Sequence, residues 1–260
     1  MKTTFKITWI SILSTIVTVL AHVLAGTKYH TIFVVKTPVI DIPYLFIIIT
    51  ILTYLLMTLI FIGIKNYLPT SKLTKGFLYS SLVSFVWITL NLEPTTINSI
   101  QDFIIEILII FIPMSVYGIF LGYLSNEKTN KIKITISYLR VFIIMLMWLL
   151  FRGLYYLIDA DAPKTVDIIQ TALWLIISGF VIGVVFSIFQ NLIKETLINR
   201  LVWIFNISFA VFVCYYLVSY SLEEKFYTLH YVKILFDILS IIIGTLLSVL
   251  IFERKKVEIN

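Results

Sequence analysis

The chain has 260 residues, of which 60% are hydrophobic and 13% charged, with a mean hydropathy of +1.03 and a formal net charge of +6. Soluble domains run near about 45–50% apolar residues, so this composition excludes a water-soluble globular protein. A single cysteine, Cys214, excludes an intrachain disulfide and leaves the redox compartment unread.

Apolar runs of roughly 20 residues, the length a helix needs to cross a ~30 Å hydrocarbon core, recur along the chain. They are continuously apolar rather than alternating, which excludes a β-barrel and leaves helices, whose backbone bonds are satisfied internally. Eight spans are predicted, at 7–26, 42–64, 76–92, 103–124, 134–157, 168–189, 201–221 and 229–251. The fold class is an all-α polytopic membrane bundle, one transmembrane domain over 1–260 with no soluble domain, since the longest loop has about 15 residues.

The first span follows a basic start and offers Val23-Leu24-Ala25 as a cleavage site, but its apolar stretch exceeds a usual signal core and is read as an uncleaved anchor. Its polar residues Ser11, Thr15, Thr18 and His22 recur at helical spacing. So do Gly76, Ser80, Ser84, Trp87 and Asn91 in the third span, and Ser115, Gly118 and Gly122 in the fourth, which also holds Glu106. The fifth span carries Arg140 and Arg152. The sixth has the "GFVIG" step, Gly179 to Gly183, followed by Ser187. The eighth reads Lys233, Asp237, Ser240, Gly244, Ser248. Stripes of this kind let helix backbones approach, so Gly118, Gly179, Gly183 and Gly244 are expected at helix contacts.

Charge sorts by side. With the N-terminus inside, 14 of the 20 Lys and Arg fall on the side of the termini and 6 on the other, whereas 10 of the 14 acids fall on that other side. The positive-inside rule places both termini in the cytoplasm and the chain in the cell membrane. The basic balance thus reports orientation rather than a nucleic-acid partner. The expected partners are the lipid bilayer and, on the stripes, a membrane-protein partner or a second copy.

Shifting the chain by 126 residues aligns spans 1–4 with 5–8, bringing Asp41 onto Asp167, Gly118 onto Gly244 and Glu127 onto Glu253. Most other positions differ. The alignment is compatible with a parallel four-plus-four duplication, with halves 1–130 and 131–260.

Apart from Arg140, the ionisable groups embedded in spans lie in the outer half: His22, Glu106, Arg152, Lys233 and Asp237. Such residues face protein or a cavity, at about 2.5–3.5 kcal/mol each at a helix centre on insertion scales, and are functional candidates. Asp237 lies about 12 Å below the outer end of its helix. Lys233 and Asp237, four apart, share the small-residue stripe and partly neutralise each other. These residues predict an outward-facing polar vestibule lined by spans 1, 4, 5 and 8, with Arg152 paired to Glu106 or Asp237. The alternative is a salt-bridge cluster that fixes helix register.

Other chemistry is thinly supported. His22, His30 and His230 have no ligand spacing on one helix. "DADAPKTVD" resembles no calcium loop, since Pro163 occupies a ligand position and the glycine is missing. No HExxH, GxSxG or Walker loop occurs, and "SLEEKF" lacks the companions of a membrane-protease glutamate pair. No catalytic residue, metal or cofactor is assigned. The leading expectation is a small permease or transport-complex subunit for an ion or small solute. The rivals are a membrane interaction protein (an immunity, regulatory or assembly factor binding partner helices) and, third, a membrane-embedded enzyme.

Overall fold

A computed structural model describes residues 3–26, 44–69, 71–93, 100–125, 134–158, 168–193, 195–221 and 228–257. They contain eight α-helices and no strand: α1 Thr3–Gly26, α2 Tyr44–Ile64, α3 Lys72–Asn91, α4 Ile100–Gly122, α5 Tyr138–Ile158, α6 Ile168–Leu192, α7 Leu197–Ser221 and α8 Thr228–Val257. Each is long and apolar enough to cross a membrane. The chain is a polytopic helical membrane protein.

The boundaries follow local chemistry. α3 starts four residues before the expected span, because Ser71 takes an extended N-cap conformation ahead of the amphipathic turn Lys72–Lys75. α5 starts four residues late. Ile134, Thr135 and Ile136 are β-branched, and the helix opens where the Ser137 carbonyl accepts the Val141 amide at 3.0 Å. α8 runs past its apolar part into Glu253–Val257.

The bundle is apolar outside and studded with small polar groups inside. Leu20, Leu52, Ile112, Phe180 and Leu235 are exposed, whereas Ser11, Thr58, Ser80, Ser178, Ser187, Ser240 and Ser248 are fully enclosed. Many buried hydroxyls are satisfied within their own helix, as Thr15 is by the Ser11 carbonyl at 2.8 Å and Thr50 by the Phe46 carbonyl at 2.6 Å. Others tie helices together. Thr18 and Tyr54 share a 2.7 Å bond between α1 and α2, Thr58 and Tyr117 a 3.0 Å bond between α2 and α4. Indole N–H groups of Trp87 and Trp174 donate across helices to the carbonyls of Val211 and Thr89, at 2.9 and 2.8 Å.

Each helix packs chiefly on two others, and the main contacts run α1, α2, α7, α8, α5, α6, α3, α4 and back to α1. Exchanging α1–α4 with α5–α8 maps this ring onto itself. Within each set of four the same pairs touch, and the sets meet at α2–α7 and α3–α6.

Glycine sets the closest crossings. A Cβ on Gly76 would lie 2.2 Å from the Gly118 carbonyl, and one on Gly118 would lie 2.1 Å from Ser80 Oγ, so α3 and α4 meet backbone to backbone. On the α5–α6 seam a Cβ at Gly183 would stand 2.6 Å from the Val141 carbonyl, and one at Gly179 would touch Trp148 at 3.0 Å. Gly244 of α8 lies against Ile144 of α5.

Candidate functional site

Four charged side chains converge near the end of the bundle away from the termini. Arg152 comes from α5, Lys233 and Asp237 from successive turns of α8, and Glu93 from the segment just past the end of α3. Asp237 lies about 13 Å along α8 from Thr228, at 1.5 Å per residue. The guanidinium of Arg152 is shared. Nη1 is 3.3 Å from Asp237, Nη2 donates to Glu93 and to the Tyr216 hydroxyl of α7, each at 3.2 Å. Lys233 donates to Glu93 at 2.7 Å. Tyr216 donates to Asp237 at 2.5 Å and Tyr156 to Glu93 at 2.7 Å. Two cations face two anions, so the cluster is neutral.

Burial is graded. The side chains of Arg152 and Asp237 are 0% and 1% exposed, those of Lys233 and Glu93 15% and 12%. Aromatic rings close the walls: the Arg152 Cζ stands 5.3 Å from the Trp148 ring centre, 5.4 Å from Trp174, 5.7 Å from Tyr155 and 5.9 Å from Tyr156. Lys233 Nζ lies 5.6 Å over Tyr216. Cation–π attraction is worth most where water is excluded, up to about 2 kcal/mol. Burial alone would raise the pKa of Glu93, but the charges of Lys233 and Arg152, with hydrogen bonds from Lys233 and Tyr156, outweigh it and hold the carboxyl at about 2.

The cluster is not fully satisfied. Asp237 Oδ1 and Arg152 Nε are buried with no hydrogen-bond partner, although Oδ1 is 3.3 Å from the Arg152 charge. Such atoms cost about 1–3 kcal/mol each when left dry, more when charged.

Of the five residues predicted to line a vestibule, the structure brings together Arg152, Lys233 and Asp237. Lys233 pairs with Glu93 rather than with its neighbour Asp237. Glu106 of α4 accepts the Asn91 side-chain amide, and Asn91 in turn accepts from Tyr215 at 3.3 Å. His22 stands apart, its Nδ1 2.8 Å from the Thr18 carbonyl and its ring edge-on to Phe46. The expected lining by spans 1, 4, 5 and 8 divides, because α1 and α4 lie across the ring from α5 and α8. Glu93, Tyr216 and the four-ring frame are the members that sequence reasoning missed. His30, Asp41, the "DADAPKTVD" segment, residues 222–226 of "SLEEKF" and the side chain of His230 lie outside the described residues. Among the described residues, no three His, Cys, Asp or Glu side chains converge as a metal site would require.

Comparison with protein-family models, curated proteins and solved structures finds no match to this chain. The functional reading therefore stands on the site's own geometry.

Proposed function

We propose that this chain is a small permease or transport-complex subunit for an ion or small solute, with the Arg152–Asp237–Glu93–Lys233 network as its working site. One observation carries the reading: Asp237 sits deep within an apolar helix bundle with one carboxylate oxygen lacking a hydrogen-bond donor. A cluster selected only for cohesion gains by satisfying both oxygens. An oxygen held only by its 3.3 Å ion pair with a shared arginine, and by no hydrogen bond, is suited to take a proton or a polar solute group. Arg152 holds its three partners at 3.2–3.3 Å, longer than the ~2.7–2.9 Å of tight charge-assisted bonds. That spread supports a guanidinium able to change partners between Asp237 at depth and Glu93 at the rim.

The reading as a partner-binding module draws less support. Its docking faces would be the small-residue stripes, yet Ser11, Thr15, Ser80, Ser84, Gly183, Ser240 and Ser248 are covered by the chain's own helices.

The test is Asp237→Asn in proteoliposomes, with uptake and solute-evoked current measured against a panel of inorganic ions, amino acids and sugars, and internal pH followed by a trapped dye. The variant is expected to remain monodisperse and to lose at least tenfold of whatever flux the wild-type protein supports. A folded Asp237→Asn protein with wild-type flux overturns the proposal. So does misfolding of Asp237→Asn that the swap Arg152→Asp with Asp237→Arg repairs without restoring flux, which would mark a purely structural pair.

A further inference from the structure

Among the described residues, hydrogen bonds between α1–α4 and α5–α8 gather at the end of the bundle away from the termini. Glu93 accepts from Arg152, Lys233 and Tyr156. Asn91 accepts from Tyr215, and the Trp87 and Trp174 indoles reach carbonyls of the facing set. Toward the termini, apolar contacts line the seam. A Cβ on Gly63 of α2 would lie 2.1 Å from the Trp203 ring of α7. The Tyr79 and Phe189 rings of α3 and α6 meet edge to face, 6.3 Å between centres.

At the end nearer the termini the α2–α3 turn meets the α6–α7 turn. There the Tyr67 hydroxyl donates to Glu195 Oε1 at 2.6 Å, the length of a tight bond to an ionised acceptor. Each partner is positioned by its own set. The Tyr67 amide bonds the Ile64 carbonyl at 2.9 Å, which turns the chain off the end of α2, and the Tyr67 ring rests on the core. Across the seam, Arg200 of α7 donates to the Ile193 and Glu195 carbonyls at 3.2 and 3.0 Å, and the Asn199 amide reaches Glu195 Oε2 at 3.5 Å. Tyr67 and Glu195 are both half-buried, so water can take over their bond when it breaks. Parting Glu93 from Arg152 would instead leave a buried charge uncompensated. The two ends of the seam therefore differ in how readily they separate.

We infer that Tyr67 and Glu195 form a latch between the two four-helix sets, and that its release opens the seam from the end nearer the termini to the depth of the Asp237 network. A contact made only in the closed state sets the open population, so weakening it raises that population. The latch serves the permease reading above and takes its purpose from it, but the opening itself is measurable whether or not a solute crosses. Cys214, the sole cysteine of the chain, is a built-in reporter. It is buried on α7, two residues from Tyr216, and is hydrogen-bonded across the seam to Thr53 of α2.

The full chain in right-side-out and in inverted membrane vesicles is treated with a charged, impermeant methanethiosulfonate, and modification of Cys214 is followed by mass. Wild-type Cys214 is expected to react slowly from both faces. Tyr67→Phe and Glu195→Ala should each speed the reaction at least fivefold from the face of the termini and leave the opposite face unchanged. The double variant should react no faster than either single one, because both remove the same bond. Unchanged rates in both variants overturn the latch. So does an equal gain from the two faces, which marks general loosening, or an additive gain in the double variant, which marks two separate effects. Faster labelling in a protein that carries no solute would leave the latch standing and sink the permease reading. Flux lost in Asp237→Asn, with Cys214 reactivity indifferent to Tyr67 and Glu195, would do the reverse.

Discussion

Glu93 holds two cations at once, so its ionisation is tied to the fold. Its carboxyl titrates at about 2 in the folded protein against an ordinary 4.5. A depressed acid stabilises the folded state fully above its unfolded pKa and loses that contribution as pH falls through the folded value. Thermal unfolding should therefore be insensitive to this group above about pH 5 and weaken from about 4.5 toward 2. Glu93→Gln should flatten that part of the profile and, by leaving Lys233 uncompensated, cost toward the lower end of the ~3–5 kcal/mol typical of a broken buried pair. Identical acid limbs in the two proteins would remove Glu93 from the account. Arg152, Lys233 and Asp237 were legible because a charge inside an apolar run has few alternative explanations. Glu93 was not, because it follows the helix end and turns inward through the non-helical Leu92. Tyr216, Trp148 and Trp174 were not, because an aromatic residue in a membrane helix carries no mark of whether it faces lipid, core or a guanidinium.

At the scale of the element, glycine placement makes the sharpest claim. Gly183→Leu would drive a side chain into the Val141 backbone, and should lower the yield of monodisperse protein and destabilise the fold by about 1–3 kcal/mol or more. Gly153, on the neighbouring α5, has nothing within 4 Å of a notional Cβ. Gly153→Ala is the matched control and should leave yield unchanged. Equal behaviour of the two variants, by size-exclusion profile and thermal unfolding, would contradict the packing. Helix positions were readable because apolar length alone sets them. Their order around the ring was not, since an apolar face serves lipid and a neighbouring helix equally well. That is why His22 and Glu106 were placed with Arg152: sequence position reports depth in the membrane, and depth is all they share with it.

For the whole molecule, the distribution of Lys and Arg predicts that both termini face the cytoplasm. In a Cys214→Ala background, cysteines at positions 3 and 258 should react with an impermeant maleimide only after the membrane is opened. Labelling of either in intact cells would reverse the orientation. The ring that maps onto itself when α1–α4 exchange with α5–α8 supports the proposal of an ancestral four-helix duplication. The residue-level match is weaker. Gly118 and Gly244 align in the shifted sequence, yet Gly118 packs on α3 and Gly244 on α5, which are not equivalent positions. Whatever symmetry the backbone retains, the charges are unevenly shared: Arg152, Lys233 and Asp237 all belong to the second half.

That uneven sharing has a consequence for biosynthesis. When α5 emerges from the ribosome, Arg152 must enter lipid with only one of its two acidic partners yet made, Glu93. Asp237 arrives last, on α8, whose contacts with α5 and α7 also complete the ring. The nascent chain thus carries Arg152 on a single ion pair over the 85 residues that separate it from Asp237. α8 supplies both the missing anion and the missing wall, so its insertion and the closure of the ring coincide.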